Sequence, residues 1–245
     1  MAAAAPLFNV QRAAERYCAD HGWLKTCHSF SFADYFDPNN LSWGALRVLN
    51  DDRVAPTQGF GMHAHRDMEI ITYVLEGELE HKDSMGNHGV VSAGGVQYMS
   101  AGTGVRHSEF NRSASQELHF IQMWVVPSTL GDKPRYGQRD FSAHDRRGRW
   151  LLVASGRGAH GDAPISLRQD ASFSVARLDG GSLSYTFDPG RLAFVFVGQG
   201  AVTANGSHLR AGDGVRIAGL PELALAGDAD VLLWDIPALE HGESA

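Results

Sequence analysis

The sequence predicts an all-β protein, a sandwich or barrel of many short strands, and three observations predict it. Its apolar segments are short, rich in Val, Ile, Phe, Tyr or Trp, and bounded by Gly, Pro, Asn or Asp, the patterning of strands and turns. No segment offers a long helical stripe capped at both ends. Glycine makes up 28 of 245 residues, against a usual share of about 7%, and it gathers at strand ends, not in low-complexity runs.

Taken in order, the stretch Val10 to Cys18 after Asn9 offers one short helix. Strands are expected over Ala45 to Leu49, Met68 to Leu75 and Glu117 to Val126. From Pro127 to Arg149 the strand pattern gives way to Gly, Asp, Lys and Arg, with Arg146, Arg147 and Arg149 reading as a solvated face. Strands resume over Ser172 to Leu178, Leu192 to Val197 and Val231 to Ile236. The expected organisation is an N-terminal domain over 1–130, a linker over 131–149 and a C-terminal domain over 150–245.

A faint internal repeat supports two units of like build. Val74-Leu75-Glu76-Gly77, Asn87-His88-Gly89 and Ala93-Gly94-Gly95-Val96 are echoed by Val197-Gly198-Gln199-Gly200, Asn205-Gly206 and Ala211-Gly212-Asp213-Gly214-Val215. Each copy reads as a strand meeting a glycine, a polar hairpin turn, and an Ala-Gly turn into the next strand. Glycine suits such corners because a closing sheet must bend sharply or take positive φ.

Composition narrows the function classes. A formal charge of −7 argues against nucleic acid or an anionic membrane as the main partner. The longest apolar runs fall far short of the roughly 18 residues a membrane helix needs. Met1 to Pro6 has no basic residue ahead of an apolar stretch, so no signal peptide is expected and a cytoplasmic setting follows. Two cysteines, Cys18 and Cys27, make neither a disulfide framework nor a cysteine zinc site, and neither sits at a readable spacing from a base.

Among 12 histidines, spacing singles out three. In Gly61-Met62-His63-Ala64-His65, residues two apart on a strand share a face, so both imidazoles can reach one point. His107-Ser108-Glu109 repeats that spacing after the turn Gly102-Thr103-Gly104. On facing strands of one barrel, the two pairs would converge as three neutral nitrogens and one anionic oxygen. That donor set suits a divalent transition metal and leaves positions open for a substrate oxygen or dioxygen. The competing reading is surface strand histidines, since one H-x-H pair is weak evidence.

The run Phe60-Gly61-Met62-His63-Ala64-His65-Arg66-Asp67-Met68-Glu69 resembles the pirin family of the cupin superfamily. So do His81-Lys82-Asp83-Ser84-Met85-Gly86-Asn87, Met99 to Glu109, and Gly22-Trp23-Leu24-Lys25 with His28 to Tyr35. The resemblance implies a bicupin, two double-stranded β-helix barrels in tandem, with one metal, usually iron(II), in the N-terminal barrel. It places the metal ligands on His63, His65, His107 and Glu109, and disfavours Glu69, which other cupins would use. Nickel, manganese, copper or zinc also suit these donors. The C-terminal barrel, with Asp188-Pro189-Gly190-Arg191 at the matching corner, is expected to bind no metal.

Some pirin-like proteins are quercetin 2,3-dioxygenases, so the expected activity is ring cleavage of a flavonol-like small molecule with O2, by a monomer. Glu109 is the candidate catalytic base. The alternative is a non-catalytic metal- or redox-sensing regulator acting through a protein partner. Other polar residues receive structural readings: His81 and His88 as exposed groups flanking a hairpin turn, His119 as a hydrogen-bonded barrel residue, His28 as structural, and Arg66 with Asp67 as a pair.

Overall fold

The computed structural model describes residues 6–161 and 163–239. The chain divides into two compact units, one of Tyr17–Ser42 with Arg47–Phe141, the other of the described residues up to Arg16, Trp43–Leu46 and those from Ser142 onward.

The first unit carries β2 (Tyr17–Asp20), β3 (Leu24–His28), β4 (Leu46–Val54), β5 (Gly59–His65), β6 (Glu69–Glu76) and β7 (Glu78–Asp83). They are followed by β8 (His88–Ser92), β9 (Val96–Ser100), β10 (Val105–Asn111), β11 (Leu118–Val125) and β12 (Arg135–Arg139). They form a seven-stranded sheet in the order β12-β9-β6-β11-β4-β3-β2 and a four-stranded sheet in the order β5-β10-β7-β8. Leu24, Val54, Val74, Leu79, Leu118 and Phe120 pack as one buried apolar cluster, and Ile70, Met99, Ala101 and Val105 as another.

The second unit is one sheet: β1 (Leu7–Gln11), β18 (Gly214–Ala218), β16 (Leu192–Ala204), β19 (Glu222–Ile236), β15 (Ser172–Thr186), β13 (Leu151–Ser155) and β14 (Ile165–Ser166), with β17 (Ser207–Arg210) also paired to β16. Register shifts at Asp179/Gly181 in β15 and Val197/Gln199 in β16 bend these long strands, as β-bulges do. Val195, Val197, Val202, Leu209, Val215, Ile217, Val231 and Leu233 fill its interior. Among the described residues, no helix is long and apolar enough to cross a membrane.

The repeat read in the sequence is a repeat of backbone. Gly94 and Gly212 both sit at φ +85°, and their amides donate to Val74 and Val197 carbonyls at 2.8 Å in each case. Gly77 and Gly200 take φ +84° and +77°. A Cβ at Gly200 would lie 2.2 Å from the Asp228 carbonyl oxygen and one at Gly77 3.1 Å from that of Glu117, so these corners exclude a side chain on two grounds.

Three local expectations are corrected. The helix expected over Val10 to Cys18 is a single 3-10 turn, Ala13–Glu15, because both flanks pair as strands. Long-range hydrogen bonds hold that turn: Asp213 accepts from the Ala13 amide at 2.8 Å and from Arg12 at 2.9 Å. Residues 131–149 carry β12, antiparallel to β9, and a four-residue helix α1 (Ala143–Arg146); an edge strand with few apolar residues leaves little trace in patterning. Finally, Cys18 and Cys27 face each other across β2 and β3 and form a disulfide. Gly22, at φ +81°, and the His21 amide bonded to the Leu24 carbonyl make the turn that brings them opposite.

Candidate metal centre

Strand β10 lies between β5 and β7 in the four-stranded sheet. On β5, Met62 and Ala64 are exposed while His63 and His65 turn inward, as strand alternation requires. On β10, His107 and Glu109 are buried on the same parity. His107 stands directly opposite His63 across the β5–β10 pair. The two motifs therefore meet on hydrogen-bonded neighbours of one sheet, not on facing strands as the sequence suggested.

The three imidazoles cluster with ring centroids 4.4 Å (His63–His107), 4.7 Å (His63–His65) and 4.9 Å (His65–His107) apart. A nitrogen from each lies within 4.8 Å of the others, and a second group with the same limit joins His107, Glu109 and His81. Glu109 follows a bulge in the β10–β5 pairing. Its carboxylate is buried and held at both oxygens, by Gln97 Nε2 at 2.7 Å and Gln122 Nε2 at 2.9 Å. Each oxygen keeps a further lone pair.

The histidines have the electronic state that a cation needs. The Gly61 carbonyl can only accept, so His63 donates to it from Nδ1 at 2.7 Å, the arrangement that in a neutral ring leaves the lone pair on Nε2. Burial, and then repulsion from neighbouring imidazoles, lowers His65 to about 4 and His107 to about 3. Both rings are neutral at physiological pH. The Nε2 atom of His107 is buried and has no hydrogen-bond partner. A buried lone pair of this kind is costly unless something binds it, and a divalent transition metal fits these donors.

His81 is fully buried, which corrects its reading as an exposed turn residue. One of its nitrogens faces Asp83 Oδ2 at 3.1 Å and the other His107 Nδ1 at 3.4 Å. The remaining candidates have structural partners. Glu69 is buried and accepts from the Tyr98 hydroxyl at 2.7 Å, His119 bonds Asp51 at 2.7 Å, His88 bonds Glu80 at 2.8 Å, and Arg66 pairs with Asp67 at 3.3 Å. Gln97, Gln122, His81 and Asp83 were not singled out in the sequence as site residues. A glutamine inside the apolar strands Val-Gln-Tyr-Met and Phe-Ile-Gln-Met-Trp was the available signal, since a buried amide must find a partner.

A cavity of about 250 Å³ opens on the cluster. His63, His65 and Glu109 line it with Phe32, Phe60 and Trp124, and Thr26, His28, Asn50 and Asp52 add polar groups. In the second unit, the corner at Asp188–Arg191 is filled by ion pairs. Arg157 contacts Asp188 and lies 2.6 Å from Asp235. Arg191 lies 2.6 Å from Asp235 and 2.7 Å from Asp170.

Comparison with known proteins agrees with this architecture. The family model described as pirin matches residues 8–125, and the one described as the quercetinase C-terminal cupin domain matches residues 152–236. A pirin-like protein of Caulobacter vibrioides is 43% identical over 226 residues, 92% of either chain. A quercetin 2,3-dioxygenase of Escherichia coli K12 is 43% identical over 231 residues, 93% of this chain and 98% of the relative. The crystal structure of YhhW from Escherichia coli superposes with a TM-score of 0.89 at 42% identity, covering 96% of this chain and 100% of that one. Its nickel(II) complex, described as a bacterial pirin, gives a TM-score of 0.88 at 42% identity, covering 95% and 100%. With likeness of this extent across both halves, the chain belongs to the pirin family and is built as two tandem cupin domains.

Proposed function

We propose that the protein is a metal-dependent flavonol 2,3-dioxygenase, with His63, His65, His107 and Glu109 holding one divalent transition metal. The observation that carries this reading is the buried, unpartnered Nε2 of His107 beside two further histidines and a carboxylate, at a cavity lined by aromatic rings. The relatives named quercetin 2,3-dioxygenase and the nickel-bound bacterial pirin support it. Iron(II) is the proposed occupant, and nickel, manganese, copper or zinc suit the same donors.

When bound, the metal supplies the Lewis acidity and the oxygen chemistry of the reaction. The chain supplies placement and proton handling. Phe32, Phe60 and Trp124 give a planar polycyclic substrate apolar walls, and such walls keep water from the reacting ring. Gln97 and Gln122 fix the Glu109 carboxylate at both oxygens, so a substrate hydroxyl presented at this end meets an oriented acceptor for its proton. Thr26, His28, Asn50 and Asp52 offer hydrogen-bonding partners for further hydroxyls.

The test is oxygen uptake with quercetin by anaerobically purified protein of known metal content. Metal-loaded wild type is expected to consume O2. Glu109→Gln is expected to retain part of the metal while turnover falls by about a thousandfold, which corresponds to about 4 kcal/mol of barrier. Full metal loading without oxygen uptake on any flavonol would overturn the proposal, and a Glu109→Gln variant as fast as wild type would remove Glu109 from its role.

A further inference from the structure

We propose that Asp83 and His81 form a hydrogen-bonded chain that sets the tautomer and aim of His107, which makes them positioning residues for the metal centre. The inference rests on His107 being a ligand, and it assigns a role to the His81-to-Asn87 motif that the proposed reaction leaves unused.

Asp83 begins the chain. Its Oδ1 accepts the Met85 and Asn87 amides at 2.9 and 3.0 Å, and its Oδ2 accepts Asn87 Nδ2 at 2.9 Å. The carboxylate is thus immobilised by its own turn, with Oδ2 3.1 Å from His81 Nε2. A carboxylate only accepts, so His81 carries a proton on Nε2, and as the singly protonated ring of this proposal it offers a lone pair at Nδ1. That lone pair faces His107 Nδ1 at 3.4 Å. His107 therefore donates from Nδ1, and its remaining lone pair is on Nε2, the buried atom with no partner.

The geometry also fixes the orientation of the rings. The side chains of His81 and Asp83 are both fully shielded from solvent. Tyr136 of β12 stacks on His81 with centroids 4.3 Å apart and planes 15° apart, and its hydroxyl is tethered to Gln138 Oε1 at 2.8 Å. Backbone register supplies the rest: His107 pairs with Asp83, and Glu109 with His81, across β10 and β7. With one nitrogen facing Asp83 and the other His107, His81 has no lone pair left for a metal and serves as the hinge between carboxylate and ligand.

Histidine ligands whose second nitrogen is held by such a partner typically lose about 10- to 100-fold in metal affinity when the partner is removed. His81→Phe keeps a ring to stack on Tyr136 and removes both hydrogen bonds. His81→Asn keeps an acceptor near the Nδ1 position. Nickel(II) affinity, measured by competition with a chromophoric chelator, is expected to fall at least tenfold in His81→Phe and by less in His81→Asn. Nitrogen-15 NMR of the metal-free wild type needs no variant and is expected to show His107 protonated on Nδ1. An Nε2-protonated His107, or a folded His81→Phe protein that binds nickel as wild type does, would overturn the proposal. Neither readout involves oxygen. A protein that meets both expectations yet consumes no O2 therefore supports the chain and defeats the dioxygenase reading, while oxygen uptake with the wrong tautomer does the reverse.

Discussion

The two units share a corner and differ in what stands behind it. Each turns through a glycine at φ +85° whose amide closes onto a strand carbonyl at 2.8 Å. In the first unit, the polar side chains that follow include a buried histidine nitrogen without a partner. In the second, Arg157 and Arg191 converge on Asp235, and the hydroxyl of Tyr185 donates to the same carboxylate at 3.0 Å. Both places are rich in titratable groups, so charge density alone does not mark a site. What separates them is satisfaction: opposed charges that neutralise one another hold a fold together, whereas aligned lone pairs with nothing to bind call for a ligand.

The strongest way to break this contrast is to unpair the second unit. Asp235 is 1% exposed, and Asp235→Ala would take from two largely buried guanidinium groups their buried carboxylate, leaving each only its more exposed partner, Asp188 or Asp170. Breaking a buried ion pair from one side costs about 3–5 kcal/mol, and a loss of that size is expected in urea unfolding. Nickel bound per folded molecule is expected to stay at the wild-type level. A variant that kept its stability but lost metal would show that the ion-pair corner serves the metal centre and is not structural.

Acid separates the units next. His65 and His107 hold folded values of about 4 and about 3, below the ordinary value of 6.5, chiefly through burial. Below pH 6.5 the unfolded chain takes up protons that the folded chain refuses, so these two groups make stability fall with falling pH, down to about pH 3. In the second unit, burial pushes the Asp213 carboxyl up, but hydrogen bonds from the Ala13 amide and Arg12 bring it below its ordinary value of 3.8. Its contribution is present above that value and is lost only as pH drops through the lower folded one. Metal-free protein is therefore expected to lose stability first between pH 6.5 and 4, and His107→Gln to flatten that part of the curve. The measurement is the urea midpoint against pH; an unchanged slope in the variant would exclude His107 as its source.

The sequence made the ligand candidates legible because strand parity is local: His63 with His65, and His107 with Glu109, share a face wherever their strands lie. The glycine corners were legible for the same reason. Features that depend on which strands become neighbours were not. Cys18 and Cys27 form a bridge only because β2 and β3 pair in one register. His81 reads as a turn residue until β7 lies against β10, and Tyr136 sits in what reads as a linker until β12 pairs with β9. Gln97 and Gln122 reach Glu109 from β9 and β11, members of the other sheet.

The smallest expected effect asks whether other unpaired acceptors in the first unit also await a ligand. Asn50 lines the cavity, is 3% exposed, and has a buried Oδ1 without a hydrogen-bond partner. It pairs with His28 across β3 and β4. From the metal-type cluster, ring-to-ring steps of 4.8, 5.2 and 5.4 Å run from His65 through Trp124 and Phe32 to His28. In the flavonol complex proposed above, Asn50 would meet a hydroxyl away from the end that faces the histidine cluster. One neutral hydrogen bond is worth about 0.5–1.5 kcal/mol, so Asn50→Leu is expected to raise KM for quercetin by about two- to tenfold with kcat unchanged. For a flavonol lacking hydroxyls on its pendant ring, KM is expected to stay at the wild-type value. Equal changes for both substrates would mean that Asn50 shapes the cavity wall without reading the ligand, and the contrast between the units would then rest on His107 alone.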